Sequence, residues 1–249
     1  MGFRSDFGFP TIAWAGRNWG VRERNDLITW GGPQAPDPVD GNGKWAQGAS
    51  VSPTGELVLR NDGIRGGVEV HLVESTGYGT YRFVYSADFN SMDPHNVLGV
   101  FTYDMAEVVL NTRAEVHANS DGHTEIDFIE VSRWGDLQRA LPHGGVTYYP
   151  DDANSIDPER YNPGEFEIPS GFQRLTTVAE WRQDYLRVAT TTADGTVLAD
   201  VTATERVPRD LGTQQVRINL WTTSANPAHI TAVGDEVIFN EFSFSPHEA

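Results

Sequence analysis

The chain has 249 residues, and 35 Asp and Glu against 18 Lys and Arg give it a formal net charge of −17. A surface this acidic repels phosphate backbones, so nucleic acid is not expected as a partner. Cysteine is absent, which excludes disulfides and thiolate metal sites, and no apolar run is long enough to predict a membrane span.

Short strand-like runs separated by turn signals follow one another along the chain. Their spacing and the 11% aromatic content predict an all-β protein, a sandwich or a barrel. Asp194-Gly195 predicts a tight hairpin between two of the runs. The runs are residues 55–62, 66–75, 78–89, 97–104, 125–131, 176–195, 214–221 and 236–246.

Two stretches rich in Gly and Pro, residues 31–44 and 143–165, are predicted to be loops. Neither is typical of a domain linker, because the strands on each side would lack partners for a complete core. We therefore predict a single domain over residues 1–249.

The run EIDFIE, residues 125–130, places three carboxylates on one predicted strand. Glu125 and Asp127 share a face by alternation, whereas Glu130 would point to the opposite face of a regular strand. A one-residue β-bulge between Asp127 and Glu130 returns Glu130 to the first face, and bulges are frequent beside active sites. Two glutamates leaning together on one face suit a retaining glycosidase, whose carboxyl groups stand roughly 5–6 Å apart. An acidic strand edge with solvated charges is the alternative interpretation.

EIDFIE resembles the catalytic motif of glycoside hydrolase family 16 in its bulged form, E-[ILV]-D-x-x-E. Other segments resemble the same family in the family's order, over roughly residues 45–246. They are residues 66–83, 99–104, 176–195, 216–221 and 236–246. The resemblance implies a β-jelly-roll sandwich of the concanavalin A type with a substrate cleft across its concave sheet.

The resemblance also implies a role for each acid. Glu125 would be the nucleophile, Asp127 its assisting acid and Glu130 the general acid/base of a retaining endo-β-glycan hydrolase. The substrate would be a neutral polysaccharide, most simply a β-1,3 or β-1,3-1,4 glucan. A transglycosylase with the same residues and a non-catalytic lectin-like module remain alternatives. The implied substrate-binding residues are Glu69, His123, Asn219 and Trp221. Trp134, four residues beyond Glu130, has a large apolar face suited to stacking on a pyranose and is a further candidate.

Further expectations concern metals, aromatic residues and location. The seven histidines show no spacing typical of a transition-metal site, and no cofactor motif is present. The resemblance leaves a structural calcium ion open, although Asn240 stands where Asp is usual. We expect Trp181 to lie in the core and a secreted monomer whose signal peptide this sequence does not include. Some of the N-terminal tryptophans are expected to line the cleft: Trp14, Trp19, Trp30 and Trp45.

Overall fold

The computed structural model describes residues 9–21, 48–61, 67–104, 124–150, 159–223 and 235–247. These residues form two antiparallel β-sheets, which confirms the predicted sandwich. The eight-stranded sheet has, in spatial order, β1 (Thr11–Trp14), β2 (Arg17–Val21), β5 (Val68–Leu72), β14 (Gln214–Thr222), β7 (Asn96–Asp104), β8 (Ile126–Ser132), β9 (His143–Tyr148) and β10 (Tyr161–Glu167). The seven-stranded sheet has β13 (Val197–Ala203), β12 (Tyr185–Thr192), β11 (Gln173–Arg182), β6 (Gly79–Ala87), β15 (Asp235–Pro246), β4 (Leu57–Asn61) and β3 (Ala49–Val51).

One apolar core lies between the two sheets. Alternation along β5 turns Val68, Val70 and Leu72 towards it, and each such buried side chain contributes roughly 1.5–3 kcal/mol. The Phe128 ring on β8 contacts Tyr81 on β6 at a centroid distance of 4.8 Å, which joins the two sheets. The opposite face of the eight-stranded sheet therefore points away from the core.

The predicted strands and the predicted hairpin are found in the structure. Each of the eight runs contains a strand, and residues 176–195 contain most of β11 and all of β12. Asp194-Gly195 forms the turn between β12 and β13, where the Thr192 amide donates to the Thr196 carbonyl at 2.9 Å. Gly195 has a φ of 86°, a conformation that favours glycine.

The prediction of a loop over residues 143–165 is wrong at both ends, where β9 and β10 pair with each other. Glycine suits this pairing, because a Cβ on Gly144 would lie 2.5 Å from the Phe166 ring. The register shift between Tyr161 and Gly164 accommodates Pro163 on the sheet edge, where a missing amide donor is tolerated. The other predicted loop, residues 31–44, lies outside the described residues.

The N-terminal tryptophans that the structure describes belong to the core. Trp14 and Trp19 are 3% and 0% exposed and pack against Phe242, so they do not line a cleft. Trp181 is buried as expected, and its indole donates to the Pro208 carbonyl at 2.9 Å. Trp30 and Trp45 lie outside the described residues. In the described ranges, no helix is both long enough and apolar enough to cross a membrane.

Candidate active site

Strand β8 contains the predicted bulge. Phe101 pairs with Asp127 and Val100 pairs with Ile129, so β8 has one residue more than β7 at this point. Phe128 and Ile129 are both fully buried and turn consecutively to the core. Asp127 and Glu130 consequently face the other way. We call this side of the eight-stranded sheet, opposite the core, the acid face.

Glu130 lies between two glycines on the acid face. Its register partners are Gly99 on β7 and Gly145 on β9. A Cβ on Gly99 would lie 2.4 Å from Asn219 Oδ1, so this glycine lets the Asn219 amide approach the β7 backbone. A Cβ on Gly145 would meet only the Gly164 carbonyl oxygen, at 3.9 Å. On the β9 side the sheet beside Glu130 is therefore bare backbone, which leaves room for a bulky group such as a sugar ring, whereas the Asn219 amide covers Gly99 on the β7 side.

Glu125 and Asp127 have larger neighbours. Asp127 is 5% exposed and pairs with Phe101 on one side and Thr147 on the other. The Glu125 carbonyl accepts a hydrogen bond of 2.9 Å from the Tyr149 amide, which places Tyr149 beside it. Glu125 thus stands in a more enclosed part of the acid face than Glu130.

The three carboxyl groups hold their protons more tightly than isolated acids. Burial and the Glu130 charge raise the pKa of Glu125 to about 8, and burial raises the pKa of Glu130 to about 7. Burial raises the pKa of Asp127 well above its usual value, and the charges of both glutamates raise it further. The hydrogen bond between Asp127 and Glu125 lowers the pKa of Glu125 and raises that of Asp127. Asp127 is accordingly the donor in this hydrogen bond and Glu125 the acceptor, so the bond favours the carboxylate form of Glu125.

The structure adds two residues that the sequence did not suggest. Burial and the three carboxylates raise the pKa of Tyr149, so its phenol stays protonated beside them. The Arg160 guanidinium lowers the pKa of both Glu130 and Asp127. Both residues belong to the stretch predicted as a loop, and only the pairing of β8, β9 and β10 brings them to the acids.

Glu69, an implied substrate contact, lies in a buried ion pair. The Arg217 guanidinium donates to the Glu69 carboxylate. The side chain of Arg217 is 8% exposed and that of Glu69 is 1% exposed. Arg217 also lies 5.6 Å from the centroid of the Tyr103 ring. The Arg217 charge lowers the pKa of Glu125 and the Glu69 charge raises it, so the two partners act on Glu125 in opposite directions.

The other implied substrate contacts that the structure describes lie on the acid face. Asn219 pairs with Gly99, and its buried Oδ1 has no hydrogen-bond partner among the described residues. The rings of Trp221 and Trp134 meet edge-on at a centroid distance of 6.1 Å. Trp134 follows β8 with a left-handed φ of 56° and is 38% exposed. The structure thus brings both tryptophans together at one end of the acid face. His123 lies outside the described residues.

The region expected to hold calcium shows a side-chain hydrogen bond. Asn240 Oδ1 accepts a hydrogen bond of 3.1 Å from Ser86. Across the described part of the chain, no group of three or more His, Asp or Glu residues is arranged to hold a metal ion. The Asn240 amide oxygen is thus engaged in a hydrogen bond with Ser86.

Neither a scan against protein-family models nor a search of curated proteins finds a match for this sequence. Solved structures match nearly the whole chain. A glycoside hydrolase family 16 endo-glucanase from Bacteroides ovatus, in complex with G4G3G-2F-DNP, superposes with a TM-score of 0.61 at 13% identity, over 98% of this chain and 99% of that one. The chain has the fold of glycoside hydrolase family 16.

Two further solved structures are similar to this chain. A LamA variant from Zobellia galactanivorans, in complex with laminaritriose and laminaritetraose, has a TM-score of 0.55 at 13% identity, covering 97% of each chain. Rv0315 of Mycobacterium tuberculosis, described as an immunostimulatory antigen and pseudo β-1,3-glucanase, has a TM-score of 0.55 at 20% identity, covering 92% of this chain and 91% of that one. At these identities the likeness establishes the fold, and the roles of individual residues rest on the geometry of the acid face.

Proposed function

We propose that this chain is a retaining endo-β-glucan hydrolase in which Glu125 is the nucleophile and Glu130 the general acid/base. The observation that carries this proposal is the bulge in β8, which turns Asp127 and Glu130 to one face. A bulge that places carboxylates side by side in a buried setting costs stability, and such costs are typical of functional sites. A solvated acidic edge, the alternative interpretation, would leave these groups exposed, whereas Asp127 is 5% exposed.

The proposed reaction has two steps. In the first, Glu130 donates its proton to the leaving glycosidic oxygen while the Glu125 carboxylate attacks the anomeric carbon, which gives a covalent glycosyl-enzyme and frees the leaving sugar. In the second, the Glu130 carboxylate takes a proton from water, and the water oxygen displaces Glu125 from the anomeric carbon. Asp127 donates a hydrogen bond to Glu125, which orients the nucleophile and favours its carboxylate form.

A neutral β-glucan is the substrate that the site supports best. A net charge of −17 disfavours sulfated and other polyanionic polymers. The Trp134 and Trp221 rings offer apolar faces for pyranose rings, and Asn219 Oδ1 is an acceptor for a sugar hydroxyl. The substrates bound by the family-16 structures of similar fold, G4G3G-2F-DNP and the laminari-oligosaccharides, support the same class.

Release of reducing sugar from laminarin, lichenan, agarose and carrageenan tests this proposal. We expect release from laminarin or lichenan, with NMR of the first product showing retained β-configuration. Release only from agarose or carrageenan would overturn the substrate class, and an inverted first product would overturn the mechanism. Products longer than the substrate would instead identify a transglycosylase.

A non-catalytic glucan-binding protein is the second candidate. The structural likeness to Rv0315, described as a pseudo β-1,3-glucanase, favours it. Calorimetric titration with laminari-oligosaccharides separates the two candidates, because a binding protein gives a stable heat of binding and releases no product. Binding without turnover in all four polymers would favour this second function.

A further inference from the structure

Arg160 immediately precedes β10 on the acid face, and β9 lies between it and the carboxylates. The Tyr161 ring stacks on Tyr148 at 5.2 Å and packs against the core, so alternation turns Arg160 to the opposite side. Its Nη2 lies 3.4 Å from Thr147 Oγ1. Thr147 is the register partner of Asp127. The guanidinium is therefore directed along the row of side chains that contains the acids.

The guanidinium of Arg160 differs from that of its neighbour Arg206 in its contacts. Neighbouring Arg206 is ion-paired with Glu159 at 2.6 Å, whereas Arg160 forms no ion pair with any residue that the structure describes. Its charge acts on Glu130 and Asp127. Arg217 acts in the same way on Glu125 from the other side of β8. Arg217 therefore favours the carboxylate form of Glu125, and Arg160 favours that of Glu130.

The other charged and titratable groups around Glu130 compensate one another. His143 Nδ1 lies 2.7 Å from Glu165 Oε1, and Arg139 donates to the same oxygen at 2.9 Å. On the β14 side, the charge of Arg217 is balanced by Glu69. Arg160 is left as the cation that faces the acids without a carboxylate of its own among the described residues. The charged and titratable groups that share the acid face with Glu130 come from each neighbouring strand. They are Asp127 on β8 and Glu125 just before it, His143 on β9 and Tyr149 just after it, Glu165 on β10 and Arg160 just before it, Glu69 and His71 on β5, Tyr103 on β7, and Arg217 on β14.

We propose that Arg160 is a positioning residue for Glu130, whose carboxylate form it stabilises so that Glu130 can serve as acid in one step and as base in the next. The proposal rests on the function proposed above. Burial alone would favour the protonated carboxyl, which suits the first step and hinders the second. The Arg160 guanidinium favours the carboxylate form of Glu130 and so offsets the effect of burial.

Titration of Glu130 in variants of Arg160 tests the proposal. The carboxyl carbon of Glu130 is followed by ¹³C NMR and assigned by its loss in Glu130→Gln. We expect Arg160→Gln to raise the pKa of Glu130, because the cation that stabilises the charged form is gone, and Arg160→Lys to stay near wild type. Arg206→Gln is the matched control, since Arg206 belongs to the same region but is paired with Glu159. It should leave the titration unchanged.

Kinetics give a second readout. The limbs of the kcat/KM profile belong to the interacting carboxyl groups together, and loss of the Arg160 charge should move the alkaline limb to higher pH. An unshifted Glu130 titration in folded Arg160→Gln, or an equal shift in Arg206→Gln, overturns the proposal. If Arg160→Gln does not fold, Thr147→Val removes the hydroxyl that the guanidinium contacts. A shift in the same direction then supports the proposal, and its absence overturns it. Because the NMR titration needs no turnover, failure of the hydrolase proposal is seen separately, as absence of product.

Discussion

Glu125 and Glu130 carry the same functional group in different surroundings. Glu130 has glycines on both neighbouring strands, whereas Glu125 lies beside Tyr149 and accepts a hydrogen bond from Asp127. The open side of Glu130 suits a group that must meet both a leaving sugar and a water molecule. The enclosed setting of Glu125 suits a nucleophile whose direction of attack is fixed.

Glu125→Gln should abolish hydrolysis and leave the fold intact. The substitution removes the charge and the nucleophilic oxygen with almost no change in shape, and removal of a covalent nucleophile costs many orders of magnitude in rate. Activity on the best polymer and the far-ultraviolet circular dichroism spectrum are measured together. Glu167→Gln, at an exposed carboxylate on β10, is the control and should behave as wild type. A Glu125→Gln enzyme with more than about a hundredth of wild-type activity would contradict the assignment.

Glu130→Ala should lose activity on polymers and regain part of it with azide. Without Glu130 the second step lacks its base, and azide attacks the glycosyl-enzyme without needing one. An activated aryl glycoside, whose leaving group needs no acid, is the substrate, and the product is analysed by NMR. The expected product is a β-glycosyl azide. An α-configured azide, or no rescue at all, would remove Glu130 from this role.

Glu69→Gln should destabilise the protein even though it is a small change. It leaves the Arg217 guanidinium buried without its carboxylate, which costs roughly 3–5 kcal/mol when the partner of a buried pair is removed. Urea unfolding of the wild type, Glu69→Gln and Glu69→Gln/Arg217→Met measures this. The double variant should be more stable than the single one. Equal stability of wild type and Glu69→Gln would show that Arg217 does not depend on the pair.

At the scale of the element, β8 can present its acids on one face because the extra residue of its bulge packs into the core. Phe128 and Ile129 both pack into the core, so the bulge exposes no apolar side chain. The carboxylates before and after it then share the acid face. A bulge thus allows the spacing of acid side chains to be set without a change in the length of the sheet.

Deletion of Ile129 should preserve the orientation of the acids, whereas Ile129→Ala should act through packing. The deletion gives the regular spacing of one residue between the second and third acids, so the last carboxylate stays on the acid face and some activity is expected. Ile129→Ala keeps the bulge and should cost about 2–4 kcal/mol of unfolding free energy, because the side chain is fully buried. Residual activity is compared with stability in both variants. Complete loss of activity in a folded deletion variant would show that the bulge itself is required.

The sequence predicts β8 well and its neighbours poorly, for physical reasons. Alternating apolar residues and acids in 125–131 specify both the strand and its bulge, since only one register places all acids on one face. In β9 and β10, Gly144, Gly145 and Pro163 carry no such pattern, although glycine is what the contacts require. The sequence therefore predicts the acids and omits Tyr149 and Arg160, whose proximity depends on pairing between strands.

At the scale of the whole molecule, the buried carboxyl groups of the acid face lower the stability of the folded state when they ionise. Three carboxyl groups have raised pKa values in a protein that already carries a net charge of −17. Self-repulsion and the burial of these groups both disfavour the folded state as the acids ionise. The fold tolerates this because the two sheets enclose a continuous apolar core.

Stability should therefore fall as the pH rises, and the candidate catalytic acids should account for part of the fall. An unfolded glutamate ionises near its ordinary pKa of 4.5, whereas folded Glu130 and Glu125 ionise at about 7 and about 8. A group whose pKa is raised by folding binds its proton more tightly in the folded state, so its contribution to stability is complete below pH 4.5 and is lost as the pH rises to about 8.

Glu130→Gln should lessen this loss in two ways. It removes one titrating group, and it removes the Glu130 charge that raises the pKa of Glu125. The free energy of unfolding in urea is measured for both proteins at about pH 5 and about pH 9. The difference between variant and wild type should be more favourable to the variant at pH 9 than at pH 5 by roughly 1–3 kcal/mol. Glu167→Gln, at a side chain 68% exposed, should show no such difference. If wild type and Glu130→Gln differ by the same amount at both pH values, the Glu130 carboxyl group does not have the raised pKa on which its proposed role as acid depends.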